Sequence, residues 1–61
     1  MLDPWCMFST NGKRLGIYGQ LHELGHPQNG KAVSFYPVVL DADRKGFRYE
    51  DDWYALGKET A

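Results

Sequence analysis

The sequence predicts a mainly β protein, a small antiparallel meander or barrel of about four strands with a short C-terminal helical turn. Three observations predict it. Glycines are spread along the chain at 12, 16, 19, 25, 30, 46 and 57, and each costs about 1 kcal/mol against alanine inside a helix. Turn signals at Asn11-Gly12, Pro27-Gln28-Asn29-Gly30 and Asp41 to Gly46 punctuate the chain. The runs between them are rich in Val, Ile, Phe, Tyr and Trp, side chains that suit a pleated, half-buried surface.

The first hairpin follows from Asn11-Gly12, a pair that accepts the positive φ of a tight two-residue loop. That loop sets Thr10 opposite Lys13, Phe8 opposite Leu15 and Cys6 opposite Ile17. Side chains alternate with period two, so Cys6, Phe8, Leu15, Ile17 and Leu21 then share the core face. The other face receives Trp5 opposite Tyr18, Met7 opposite Gly16, and beyond them Gln20 and His22. A third strand is expected over 32–40, with Val33, Phe35 and Val39 on one face and Tyr36, Val38 and Leu40 on the other. Pro37 donates no ladder hydrogen bond, which places it at an edge or a bulge. Apolar on both faces, this strand is expected to be covered twice.

Phe47 and Tyr49 alternate as a short fourth strand. The period then changes. Asp51 or Asp52 can cap a helical turn in which Trp53 and Leu56 share a face at i, i+3, and Gly57 can end it. The acids at its start and Lys58 past its end also suit the helix dipole.

Size and charge narrow the function classes. A 61-residue chain makes one domain, 1–61, and buries only roughly 60% of its unfolded surface. Hydrophobic residues at 43% and charged residues at 25% suit a folded chain. Seven basic against eight acidic residues leave a net charge of −1, so no global field attracts nucleic acid or an anionic membrane. The longest apolar stretches, such as Val38-Val39-Leu40, are far too short to span a bilayer. Met1-Leu2-Asp3-Pro4 lacks the basic start of a secretory signal, and one cysteine makes no internal disulfide, so a cytoplasmic location is expected.

One named motif is present, His22-Glu23-Leu24-Gly25-His26, a match to H-E-x-x-H. It resembles the active-site helix of zincin metalloproteases, a resemblance that covers these five residues. It implies His22 and His26 as zinc ligands and Glu23 as general base. A third ligand would have to come from Cys6, Glu50, Asp51 or Asp52, and no spacing selects one. Pro27 disfavours helix at His26, and the nearby glycines weaken it further. The residues themselves therefore point to a strand end and a turn, with no metal, no cofactor and no catalytic residue. A second stretch, Val33-Ser34-Phe35-Tyr36-Pro37-Val38, resembles the V-Q-I-Y-P-V strand of the plasmid-borne type II dihydrofolate reductases, which are SH3-like barrels. The resemblance implies such a barrel here, with Tyr36 at the position of the family's ligand-pore tyrosine. Ser34 stands where that family has Gln.

Cys6 has no basic neighbour to activate it and reads as a small core hydrophobe. Trp5, Met7, Tyr18 and Gln20 form the expected partner-binding face, since Trp, Tyr and Met are enriched at interface centres. The alternative is that the sheet curls and this face becomes a second side of the core. Glu50-Asp51-Asp52, with Asp41 and Asp43 nearby in sequence, is either a solvated turn or a patch for a basic partner. Lys13, Arg14, Lys31, Arg44, Lys45 and Arg48 lie mostly in expected turns, with acids close by. The reading is a non-enzymatic protein-interaction module that self-associates or docks on a larger protein, of a scale that suits a phage- or mobile-element-type accessory protein. The alternatives are a zinc-dependent hydrolase and a small nucleic-acid-binding barrel.

Overall fold

The computed structural model describes residues 1–12 and 14–60. Six strands follow in order: β1 (Leu2–Ser9), β2 (Leu15–Leu21), β3 (Ala32–Phe35), β4 (Val39–Leu40), β5 (Gly46–Tyr49) and β6 (Asp52–Ala55). They form two three-stranded antiparallel sheets, ordered β1-β2-β3 and β4-β5-β6. No described residue is helical. The mainly β class is as expected, whereas the four-strand count and the terminal helical turn are not.

The sheets meet along two seams. At one, the Val38 N–H donates to the Leu15 carbonyl across 2.9 Å. At the other, the C-terminal segment runs parallel to β1 through bridges Leu2 to Leu56 and Trp5 to Glu59. These are isolated bridges, so the described residues form a two-sheet sandwich rather than a closed barrel.

Residue registers overturn the expected first hairpin. Ser9 pairs with Leu15, Phe8 with Gly16, Met7 with Ile17, Cys6 with Tyr18 and Trp5 with Gly19. The Thr10 N–H bonds the Arg14 carbonyl at 3.3 Å, so three positions, 11–13, separate the paired residues instead of two. A one-residue slip turns a whole strand over. Trp5, 2% exposed, and Met7 therefore face the core, while Cys6 and Phe8, the latter 36% exposed, face outward. On β2 the expectation holds, with Ile17 and Leu21 buried and Tyr18 and Gln20 outward.

The physical reason is the larger payload. Turning β1 over buries Trp5, whose indole N–H donates to the Gly57 carbonyl at 3.0 Å, and leaves the smaller Cys6 outside. Gly19 makes the room. A Cβ there would stand 2.5 Å from the Pro4 carbonyl oxygen and 2.9 Å from the Trp5 Cβ. A bulge between Leu2 and Trp5 shifts the register once more, which lets Leu2 point inward as well.

The single strand expected over 32–40 is broken into β3 and β4 at Tyr36-Pro37-Val38. Pro37 has no N–H to continue the ladder. The break also resets the side-chain phase: Phe35 and Val38 are both buried, and Val39, expected beside Phe35, is exposed. Beyond the 41–45 turn, the strand expected around Phe47 and Tyr49 is β5, which buries Phe47 and packs Tyr49 against the core.

The segment read as a helical turn is β6. Tyr49 pairs with Asp52 across the two-residue loop Glu50-Asp51, and Glu50 adopts φ 55° there. A single helical turn fixes several residues for one hydrogen bond. The strand instead pairs with β5 and places Tyr54 and Leu56 inward at i, i+2. Trp53 is consequently outward, not beside Leu56. Tyr54 packs against Phe35 at 4.7 Å and stacks on Phe47 at 5.3 Å between ring centroids, closing a core that also contains Leu2, Trp5, Ile17, Leu21, Val38 and Leu56.

This register sets an order of mutational costs. Trp5→Ala is expected to cost about 3–5 kcal/mol, enough to unfold a chain this small. Phe8→Ala, losing a partly solvated ring, costs about 1–2 kcal/mol. Urea denaturation measures both, and equal costs would restore the two-residue-loop register. Gly19→Ala, which meets backbone, is expected to lose about 1–3 kcal/mol. Gly16→Ala is expected to lose less, because the atoms nearest the added methyl belong to the Phe8 side chain, which it would displace outward, and not to backbone.

Candidate functional site

The H-E-x-x-H residues lie in the loop 22–31 between β2 and β3, not on a helix. Gly25 takes φ 85°, a left-handed conformation that breaks any helical continuation there. The His22 Nε2–H donates to the Asp3 carbonyl at 3.0 Å. The His26 Nδ1 accepts the Gln28 N–H at 3.0 Å, and the Glu23 N–H donates to Asn29 Oδ1 at 2.9 Å. Each imidazole is thus held by a different backbone group. Cys6 pairs with Tyr18 on the first sheet, while Glu50 and Asp51 make the β5–β6 turn. No three metal-ligating side chains gather among the described residues. The geometry does not fit a zincin centre.

The residues named for a partner face divide between two sides of one sheet. Tyr18, 49% exposed, and Gln20 are outward, whereas Trp5 and Met7 lie beneath them on the core side. Two residues that the sequence placed in the core join the outward side instead. Phe8 lies over Gly16, and its ring stacks on Tyr36 with centroids 6.3 Å apart and planes 19° apart. The Tyr36 hydroxyl is tied to the Thr10 hydroxyl at 2.7 Å, which fixes the far side of this stack. Next to it, Cys6 and Tyr18 line a small apolar hollow of about 110 Å³ with Pro4, Gly19, Thr60 and the edge of Trp5.

A second recess, about 180 Å³, opens between the 22–31 loop and β6 and is lined by Glu23, His26, Asp52, Trp53 and Tyr54. Its elements are held from both sides. The His26 N–H bonds the Glu23 carbonyl at 3.1 Å, and the His26 ring meets Tyr54 edge-on with centroids 6.3 Å apart. The Tyr54 phenol is pushed above its ordinary 10.0, first by burial and then by the carboxylates of Asp52 and Glu23, with Tyr49 and Glu50 adding to it. Trp53 is 58% exposed on the rim. Sequence reasoning missed this cleft, because nothing in local spacing joins His26 to Tyr54.

Asp52 enters the cleft, whereas Asp41 closes its own turn by accepting the Asp43 N–H at 3.2 Å. Of the basic residues, Arg44 pairs with Glu59 at 3.0 Å on the surface, a contact worth little to stability. Comparison with family models, with curated proteins and with solved structures finds no match for the chain.

Tyr54 gives this site a pH signature. Its folded value lies above its unfolded one, so the folded state holds the proton longer. Stability is therefore unaffected below the ordinary tyrosine range and falls as pH rises from about 10 through the raised folded value. Ultraviolet titration of Tyr54 should show the delayed ionisation, and Glu23→Gln should bring it back toward the ordinary value. Denaturation midpoints above pH 10 should fall less steeply in Tyr54→Phe.

Proposed function

We propose that the protein is a small non-enzymatic interaction module that docks through the outward face of the β1-β2-β3 sheet, on a second copy of itself or on a larger protein. The observation that carries this reading is the grouping of Phe8, Tyr18 and Tyr36 on one solvent-facing surface beside an apolar hollow. Aromatic rings on a rigid sheet present large contact area at low entropic cost, and a neighbouring depression can seat a partner's anchor residue. The face is preorganised, since Gly16 beneath Phe8 and the Thr10–Tyr36 hydrogen bond hold its rings in place.

Size supports the same reading. Chains of this length without disulfides or metals often gain stability by association. The balanced charge supplies no electrostatic footprint for nucleic acid, so stacking on bases is the less supported use of this face. A module of this kind suits an accessory protein that binds and modulates a larger one.

Sedimentation at micromolar concentration, together with affinity capture of a partner, tests the proposal. The double variant Phe8→Ser/Tyr18→Ser is expected to lose association or capture while keeping the wild-type circular dichroism spectrum. Gln20→Ala, on the polar end of the same face, is expected to have a smaller effect. A strict monomer whose captured partner ignores both changes would refute the assignment.

A further inference from the structure

We propose that the cleft between the 22–31 loop and β6 binds a guanidinium group, the head of an arginine side chain. The inference is independent of the docking face, which lies on the other sheet.

Three features of the cleft point to an organic cation. It carries two carboxylates, Glu23 and Asp52, brought together from distant parts of the chain. Neither has an ionic partner among the described residues, where the ion pair present is Arg44 with Glu59. Tyr54 lines the recess with them, and Trp53, 58% exposed, borders it.

Tyr54 is the second, separate observation. Its side chain is only 8% exposed and its ring is packed into the core. Every buried side-chain polar atom among the described residues has a hydrogen-bond partner, and the Tyr54 hydroxyl makes no bond to any of them. That hydroxyl therefore reaches solvent at the one place where Tyr54 lines a surface recess. A residue buried for nine-tenths of its surface whose one polar atom opens, unbonded by the described residues, into a recess with two carboxylates offers an acceptor there.

Arginine fits this set better than other cations. A metal ion lacks a third protein ligand here. An ammonium can meet the carboxylates as a point charge, but a guanidinium presents several N–H donors in one plane. It can bond a carboxylate with two parallel hydrogen bonds, give another N–H to the phenol oxygen, and lay its face on an indole. His26 borders the cleft without competing as an acceptor. Its Nδ1 is already bonded to the Gln28 N–H, so the neutral ring keeps its proton on Nε2.

The experiment is an NMR titration of the full chain with N-acetylarginine amide, following the Trp53 indole N–H. The Trp5 indole N–H, buried and bonded to Gly57, serves as an internal control. A saturable shift of Trp53 with Trp5 unmoved is expected. The matching citrulline compound, equal in shape but uncharged, should give none, and the lysine compound should bind more weakly. Glu23→Gln/Asp52→Asn, which alters two exposed side chains, should weaken binding about tenfold or more; Tyr54→Phe should weaken it less. Free arginine titrated beside the blocked form distinguishes the amino acid from a chain-borne side chain as the source of the guanidinium. Absence of saturation, equal binding of citrulline, or full binding by the double carboxylate variant with a native-like spectrum would overturn the site itself.

Discussion

Trp5 is the residue on which the rest of the structure depends. Its main chain is bonded on both sides by the C-terminal segment: its N–H donates to the Lys58 carbonyl at 3.1 Å, and its carbonyl accepts the Thr60 N–H at 2.8 Å. Its indole N–H reaches the Gly57 carbonyl, and its Cα and Cβ lie against Gly19, where a side chain would collide with them. One residue thus joins the two ends of the chain. In a domain too small to bury much surface, such multiple use of one residue replaces a deep core. The register of β1, the seam between the sheets and the identity of the outward face all follow from where this ring goes.

The fold class was legible because it rests on local chemistry. Scattered glycines argued against helices, the turn residues marked the loops, and the inward phase of β2 was correct for Ile17 and Leu21. What was not legible was the coupling between strands. Asn11-Gly12 supports a two-residue loop, but loop length is decided by which β1 face gains more on burial, and that depends on Gly19 and Gly57, far from the turn. The same limit applies to β6. Asp51, Trp53, Leu56 and Gly57 satisfy the local signature of a capped helical turn, and only β5, already built around Phe47, offers the ladder that makes a strand better. A usable signal did exist in the sequence: Gly16, Gly19 and Gly46 each lie under or against an aromatic side chain, from Phe8, Trp5 and Trp53 respectively. Glycines that weaken a strand alone are compatible with one when a cross-strand ring covers them. Reading them as aromatic seats, rather than only as helix breakers, would have given the correct register.

The candidate sites show the same division. The H-E-x-x-H match is a local pattern whose meaning depends on a helix that Gly25 and Pro27 prevent, and the structure uses its residues to build a loop instead. His26 and Glu23 still reach a recess, but their neighbours there are Asp52, Trp53 and Tyr54, supplied by the last strand. The partner face was half legible. Tyr18 and Gln20 were placed outward because β2 was phased correctly, while Trp5 and Phe8 exchanged roles when β1 turned over.

This exchange has a consequence for how the molecule divides its aromatic residues. Phe35, Phe47 and Tyr54 form one packed group between the sheets, with ring centroids 4.7 to 5.4 Å apart. Phe8, Tyr18, Tyr36 and Trp53 remain on the two outer faces, where they add less to stability. Rings on the outside of a domain this small leave apolar surface that the fold has not used. Two of them are nonetheless fixed by cross-strand glycines, and a third by a hydroxyl hydrogen bond. Holding a ring rigid in solvent gives the isolated fold little, but it lowers the entropy lost when another surface covers that ring. The glycines that admit the core tryptophan on one side of a strand and seat an outward phenylalanine on the other therefore link the stability of the domain to its capacity to bind.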